Sequence, residues 1–485
     1  MGLFRCLKEP FREAHEHLMI APRELRVLMV IVFFLAFGSA GASAITVSYL
    51  SDEFGASDTS ASTMFAMAGV SFLIMSLFTG RIIDIIGIKK SLILSSLFAT
   101  AGSVILSVAQ SVEMVVFAIV IVVPLTASFS SPIFTIAIQR YTYEKNSRVA
   151  FMFAYLILNV GASLSYLFVD YVRYRFGSSN DIIVYREYSA TSSRVIFLTG
   201  SLAAMLAAVV ACALRDVTVD ENGLIGIAVT ESGAQRLSSS TTPAGEATAR
   251  LPSWLGTFCE ANFIRMALFS AIMFPLLKMF THWDITFPKA AVRELGDDAL
   301  FGTIKAVNPI VITLLQLPIS HAFRNFNIYS VLIIGSTISA LSVFILCAPM
   351  TYASAVSAVA FFTVGEMVFS HRVQDFMRMF MPKDRAGVYS TLSGIYLVVP
   401  RFVVDAMSGY LLSAFCPASG PKNCQIMWAL IGLMGCATPL LLLPFRKYLL
   451  SGVPMSGKGD VELAPASIFT ISDPPHSKED NDNDY

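Results

Sequence analysis

Twelve stretches of this chain are mostly apolar over about twenty residues, the length an α-helix needs to cross the hydrocarbon core of a bilayer. They run roughly over 25–50, 61–82, 91–110, 114–139, 149–171, 194–214, 262–283, 299–321, 328–347, 353–377, 388–413 and 426–445. Inside lipid every backbone N–H and C=O needs a partner within the protein, and these continuous runs do not alternate as barrel strands do. They therefore read as helices. Only 14% of residues are charged, against about a quarter in a soluble domain. The expected fold class is an all-α polytopic membrane protein with 12 transmembrane helices.

The longest interruption lies between the sixth and seventh spans and contains ESGAQRLSSSTTPAGEATAR, the composition of a flexible linker. It divides the spans six and six, the arrangement of two bundles that rock about a central site. The expected organisation is an N-terminal segment 1–24, a six-helix bundle 25–214, a linker 215–260, a second six-helix bundle 261–446 and a polar, acidic, disordered tail 447–485. Basic residues such as Arg81, Lys89, Lys90, Arg140, Lys145, Arg378, Lys383 and Arg446 gather on one side of the spans. The opposite side offsets Arg173, Lys289 and Arg293 with acids such as Asp52, Glu53 and Asp297. By the positive-inside rule both termini and the linker are cytoplasmic, in a plasma or internal organelle membrane.

Several function classes drop out. Lys+Arg and Asp+Glu balance at 34 each, and no basic tract interleaved with aromatics occurs, so nucleic acid is not an expected partner. Residues 1–24 are too charged for a signal-peptide core, and Cys6 stands where a myristoylation site wants Ser or Thr. No G-x-x-x-x-G-K-[ST] loop marks an ATP-driven pump. No His-x-x-x-His pair, Gly-x-Ser-x-Gly elbow or paired intramembrane aspartates mark an enzyme. The seven cysteines have no metal-ligand spacing, and no cofactor or metal is expected. Cys416 and Cys424 bracket a polar loop on the non-cytoplasmic side, as a disulfide or as two unpaired thiols.

Function must then lie in the polar groups kept at membrane depth, where a charge costs about 2.5–3.5 kcal/mol and needs a partner or water. Spans 3, 6, 9 and 12 carry no interior charge; spans 7, 8, 10 and 11 do. Glu366 lies near the middle of span 10, as a proton carrier or as an ionised partner of a cation. Arg401 and Asp405 are an i,i+4 pair on span 11, a structural salt bridge or a carboxylate-binding guanidinium. Lys278, placed in the outer part of span 7, either meets Glu366 or an anionic solute or snorkels to the interface. His282 and Lys305 are expected at the interface, and His371, Arg372 and Asp375 in an inner cluster. In the first half Ser39, Ser43, Thr46, Ser128, Ser130, Thr135 and Asn159 are cavity candidates, several doubling as helix-packing residues. Pro124, Pro132, Pro275, Pro309 and Pro400 are candidate hinges.

Between spans 2 and 3, Gly80-Arg-Ile-Ile-Asp84-Ile-Ile-Gly87-Ile-Lys89-Lys90 resembles the loop signature G-x-x-x-D-x-x-G-x-[KR]-[KR] of the major facilitator superfamily. The resemblance implies that fold, a tight turn at each glycine, and Asp84 as a gate latch, with Ile85 and Ile88 in place of two usual basic residues. Three further runs are similar to motifs of the proton-coupled oligopeptide transporters. These are Tyr155-x-x-x-Asn159-x-Gly161 on span 5, Asn308-Pro309 on span 8 and Gly365-Glu366-x-x-x-Ser370 on span 10. The resemblance implies solute or proton roles for Tyr155, Asn159, Asn308 and Glu366. That family's E-x-x-E-R on span 1 and its lysine before proline on span 4 are missing here, where Ser131 precedes Pro132. Peptide as the substrate therefore does not follow.

The expected protein is a monomeric secondary transporter that moves a small polar organic solute (amino acid, short peptide or organic acid) by alternating access. Its partners are that solute, protons through Glu366, and the bilayer. The rival expectation is a non-transporting nutrient sensor or scaffold on the same fold.

Overall fold

A computed structural model describes residues 22–142, 144–177, 183–185, 188–215, 217–219, 225–227, 260–323, 325–381, 402 and 405–451. Eleven helices among them are long and apolar enough to cross a membrane. They are α1 (Arg23–Phe54), α2 (Asp58–Ile86), α3 (Ile88–Val108), α4 (Val112–Arg140), α5 (Glu144–Phe176) and α6 (Ser192–Cys212) in the first half. The second half holds α7 (Ala261–Leu295), α8 (Phe301–Ala322), α9 (Ile328–Cys347), α10 (Tyr352–Arg378) and α12 (Cys424–Leu450). Residues 405–415, here α11, are helical and form the end of the remaining expected span, whose earlier residues lie outside those described.

Successive helices run in opposite directions. The end where α1 begins and α12 finishes is called proximal here; the end bearing the 54–58, 295–301 and 416–424 connections is distal. Distal connections start their helices with side-chain caps: Ser57, Ser111, Thr191 and Thr351 each accept a backbone N–H from the first turn. Gly55, with φ 65°, ends α1 in the left-handed conformation that a side chain resists.

Most helices overrun their expected bounds by a few residues, because polar ends continue the same hydrogen-bonded ladder. The large discrepancy is α7, which continues from the expected end at 283 to Leu295. Its His282–Thr286 turn is a π-turn directly before Pro288, and α4 carries another, Ala118–Val122, before Pro124. A proline lacks the N–H that would close the preceding α-turn and crowds the carbonyl behind it, so the wider turn absorbs the misfit. Two short hairpins depart from an all-helical chain: Ile183–Tyr185 with Tyr188–Ala190, and Val217–Val219 with Ile225–Ile227 in the expected linker.

Small residues set the tight crossings, as the composition of span 1 leads one to expect. A Cβ on Gly38 would stand 2.9 Å from the Gly200 carbonyl, and one on Gly161 2.8 Å from that of Phe33. These bring α6 and α5 onto α1. Among the described residues the two halves meet chiefly where α5 crosses α8, with Gly302 against the Tyr166 backbone.

Candidate functional site

Halfway along α10, Glu366 is 8% exposed. Its Oε2 accepts a 2.7 Å hydrogen bond from Asn308 Nδ2 on α8, and the same amide donates to Thr363 Oγ1 at 2.9 Å. One helical turn separates Thr363 from Glu366, so both face α8. Tyr155, on α5 of the other half, lies within electrostatic reach of Glu366. The carboxylate thus stands at the seam between halves, hydrogen-bonded to a neutral amide.

The second-half lysines are engaged elsewhere. Lys278 lies mid-helix in α7, not in its outer part, because α7 is longer than its apolar run. It is buried, and its Nζ is 3.2 Å from Asp405 Oδ1 on α11. Neither snorkelling nor pairing with Glu366 describes it. Lys305 is buried rather than interfacial: its Nζ donates to Asp284 Oδ1 at 2.7 Å and sits 4.9 Å from the centroid of the Tyr166 ring. His282, 1% exposed, is likewise interior, with Nδ1 3.0 Å from Thr286 Oγ1 and 3.2 Å from Ser408 Oγ. The extension of α7 past residue 283 accounts for both departures, since it carries Asp284 and surrounds His282 with helix.

Other expected site residues scatter. Asn159 donates to the Tyr155 carbonyl of its own helix at 2.7 Å, and the Tyr155 ring meets His371 edge-on at 5.9 Å. Arg401 and Pro400 lie outside the described residues. Ser128 supports helix packing: its carbonyl receives Thr79 Oγ1 at 3.0 Å. Thr46 and Ser163 bond back to their own helices. Arg372 and Arg378 flank Asp375 on the last turns of α10.

Around the loop signature only Gly87 takes a positive φ, 82°, at the turn between α2 and α3. Gly80 sits inside α2, so the expected tight turn there is not formed. Asp84 lies in the last turn of α2, and Lys89 and Lys90 in the first turn of α3. A cleft of about 370 Å³ beside Gly80 runs between α2 and α4, bordered by Ser76, Thr79, Pro132 and Thr135. It belongs to the first half alone and does not include Glu366.

A second cluster closes the distal end. Asp58, at the start of α2, accepts from Lys289 Nζ at 2.7 Å and from Arg293 Nη2 at 2.8 Å to each oxygen. Lys289 also reaches Ser51 on α1. Across the seam, the Asp170 carboxylate on α5 accepts the backbone N–H groups of Gly302 (2.9 Å) and Thr303 (2.5 Å), capping α8. Arg173 donates to the carbonyls of Ala299 and Asp297 and lies 4.5 Å over the Phe301 ring. Sequence reasoning placed Lys289, Arg293 and Arg173 in loops and passed over Asp58, Asp170, Asp284, Tyr166 and Thr363. The available signal was an acid or base within one turn of each distal span end, in both halves. Cys416 and Cys424 are joined by a disulfide in the distal loop before α12.

The major facilitator superfamily profile matches residues 28–404. The chain belongs to the major facilitator superfamily. Its fold is accordingly two six-helix bundles of 12 transmembrane helices, and the protein is a secondary transporter. No protein of curated function matches the sequence.

Solved structures with the same fold include a POT family transporter in complex with 5-aminolevulinic acid. It is 15% identical, with a TM-score of 0.62 over 88% of this chain and 97% of that one. A peptide transporter POT in complex with sulfate is 16% identical, with a TM-score of 0.64 over 89% and 96%. A bacterial homologue of the human drug peptide transporters PepT1 and PepT2 is 16% identical, with a TM-score of 0.64 over 88% and 99%. The resemblance of the Tyr155, Asn308 and Glu366 runs to that family is thus matched by a shared fold.

Proposed function

We propose that the solute binds at the seam beside Glu366, with Asn308, Thr363 and Tyr155 around it, and is moved by alternating access with Glu366 as the proton-coupling group. The supporting observation is the position of Glu366. It is an acid at mid-membrane depth, between the halves, bonded to a neutral amide while the nearby lysines face other carboxylates. A charge in that setting calls for a proton, a cationic group of the solute, or water. Amino acids, short peptides and aminated organic acids such as 5-aminolevulinic acid suit it, because each can present an ammonium to the acid.

With both termini cytoplasmic, the distal end faces outward and the Asp58 and Asp170 contacts form the outer seal. The conformation described is then the one closed to the outside. The finer roles of Lys278 and Asn159 fall to helix pairing and to shaping α5, since each already has a partner within its own half. Gly87 supplies the α2–α3 turn; Asp84 with Lys89 and Lys90 would act at the cytoplasmic mouth.

The test is reconstitution in liposomes and a screen of labelled amino acids, short peptides and organic acids, with and without an inward-directed proton gradient. Gradient-stimulated uptake that Glu366→Gln abolishes, with solute exchange retained, supports the reading. Uptake whose gradient dependence is unchanged in Glu366→Gln removes Glu366 from coupling.

A further inference from the structure

We propose that the disulfide-closed loop between α11 and α12 is a positioning element for the distal gate: it holds Arg293 on Asp58 and thereby sets how readily the halves part at that end. This rests on the alternating-access reading above. Arg293 divides its guanidinium between two partners. Nη2 takes both Asp58 oxygens in the other half, and Nη1 donates to the Cys416 carbonyl at 2.6 Å. The carbonyl that aims the guanidinium therefore belongs to a residue of the disulfide itself.

The same loop also grips the backbone beneath that side chain. Lys422 Nζ donates to the Arg293 carbonyl at 2.7 Å, and Gln425 Nε2 donates to Glu294 Oε1 at 3.1 Å. The loop thus contacts Arg293 at both ends, and the first turn of α12 directly after it holds the neighbouring Glu294. Both half-cystines are buried, their Cα atoms are 4.6 Å apart, and Asn423 N–H closes on the Phe415 carbonyl at 2.7 Å. On the preceding turns of α11, Gly409 lies against the Asp58 backbone. The donor and the acceptor of the gate pair are therefore both seated on the element that the disulfide terminates.

An arginine side chain has several rotatable bonds, and fixing it costs rotamer entropy. Without a tether much of the Coulomb gain of a partly hydrated pair is lost to that cost. Held at Cys416 and at its own carbonyl, Arg293 meets Asp58 with little further ordering. Opening the bond lets the seven residues between the cysteines sample many conformations and releases both holds together.

The experiment measures the distal separation of the halves by double electron–electron resonance in the full-length protein in nanodiscs. Nitroxides are carried on unnatural ketone side chains at Glu113 and Ala353, both exposed at the distal end of opposite halves. Cys416→Ser with Cys424→Ser, and separately Lys422→Ala, should each raise the long-distance population roughly fivefold, the effect of losing about one net hydrogen bond. Lys422→Arg should restore the wild-type distribution. Asp58→Asn, which removes the carboxylate charge and one of its two acceptor oxygens, should widen it at least as much. If Asp58→Asn widens the distribution and the loop variants only lower thermal stability, the loop is a structural staple and the positioning role is overturned. If Asp58→Asn also leaves the distribution unchanged, the gate reading beneath it falls too.

Discussion

Replacing Gly302 by alanine should pry α8 from α5 at the distal end. An added Cβ would stand 2.3 Å from the Tyr166 carbonyl oxygen and 2.8 Å from Asp170 Oδ1, whereas real Cβ atoms essentially never come under 3.0 Å. The backbone of α5 has to retreat by about 0.7 Å to clear the first contact. Asp170 moves with it, lengthening its bonds to the Gly302 and Thr303 amides, now 2.9 and 2.5 Å. Overpacking costs roughly 1–3 kcal/mol, and a hydrogen bond to a charged group contributes about 1.5–3 kcal/mol. A partial loss of the pair brings the total to about 2–4 kcal/mol, or roughly 30- to 1,000-fold in a local opening constant. Hydrogen–deuterium exchange of the nanodisc-embedded protein reads this directly. Protection of the peptide covering 300–305 should fall by that factor, while α3, remote from the contact, keeps its protection. Unchanged exchange at 300–305 would refute the claim that this glycine is what permits the crossing.

Three further substitutions test other parts of the argument. Asn308→Leu removes the donor to Glu366 and should raise the KM of the solute identified in liposomes by roughly 10- to 100-fold, from the loss of a charge-assisted bond; an unchanged KM would detach Asn308 from binding. Asp284→Asn takes from the buried Lys305 ammonium a carboxylate that is itself 44% exposed, so solvent screening keeps the cost below the roughly 3–5 kcal/mol of a fully buried pair. The thermal midpoint in detergent should fall, and Lys305→Met in the same chain should recover most of the loss. Gly161→Val, with the Phe33 carbonyl 2.8 Å from where its Cβ would be, should lower the yield of monodisperse protein, whereas a valine at Gly80, which faces open space, should not.

What the sequence revealed and what it hid divide along physical lines. Apolar length determines membrane crossing almost alone, so α1, α3, α6 and α9 lie within a few residues of their expected bounds. Hydropathy fails where a polar helix end stays packed, and α7 is the clear case. His282, Asp284, Lys289 and Arg293 ended the apolar run, yet the helix continues to Leu295 because each of them meets a polar partner on α1, α2, α8 or α11. Glu366 was legible from depth alone, and Asn308 from its motif. The partners of Lys278 and Lys305 were not, since pairing across helices distant in sequence depends on crossings that one chain does not encode locally. The spacing Asp405–Arg401 suggested a pair on one helix; Arg401 lies outside the described residues, and Asp405 also meets Lys278 across 127 positions of chain.

The placement of the ion pairs has a consequence for the work of each transport cycle. Lys278 with Asp405, and Lys305 with Asp284, each join helices of the same half, so rocking one bundle against the other carries them along intact. Among the described residues, the ion pairs that join the two halves are those of Asp58 with Lys289 and Arg293, where entering water can solvate what is separated. The Lys278–Asp405 and Lys305–Asp284 pairs thus stay joined through the cycle, and the electrostatic toll at Asp58 falls on the protein's wet rim.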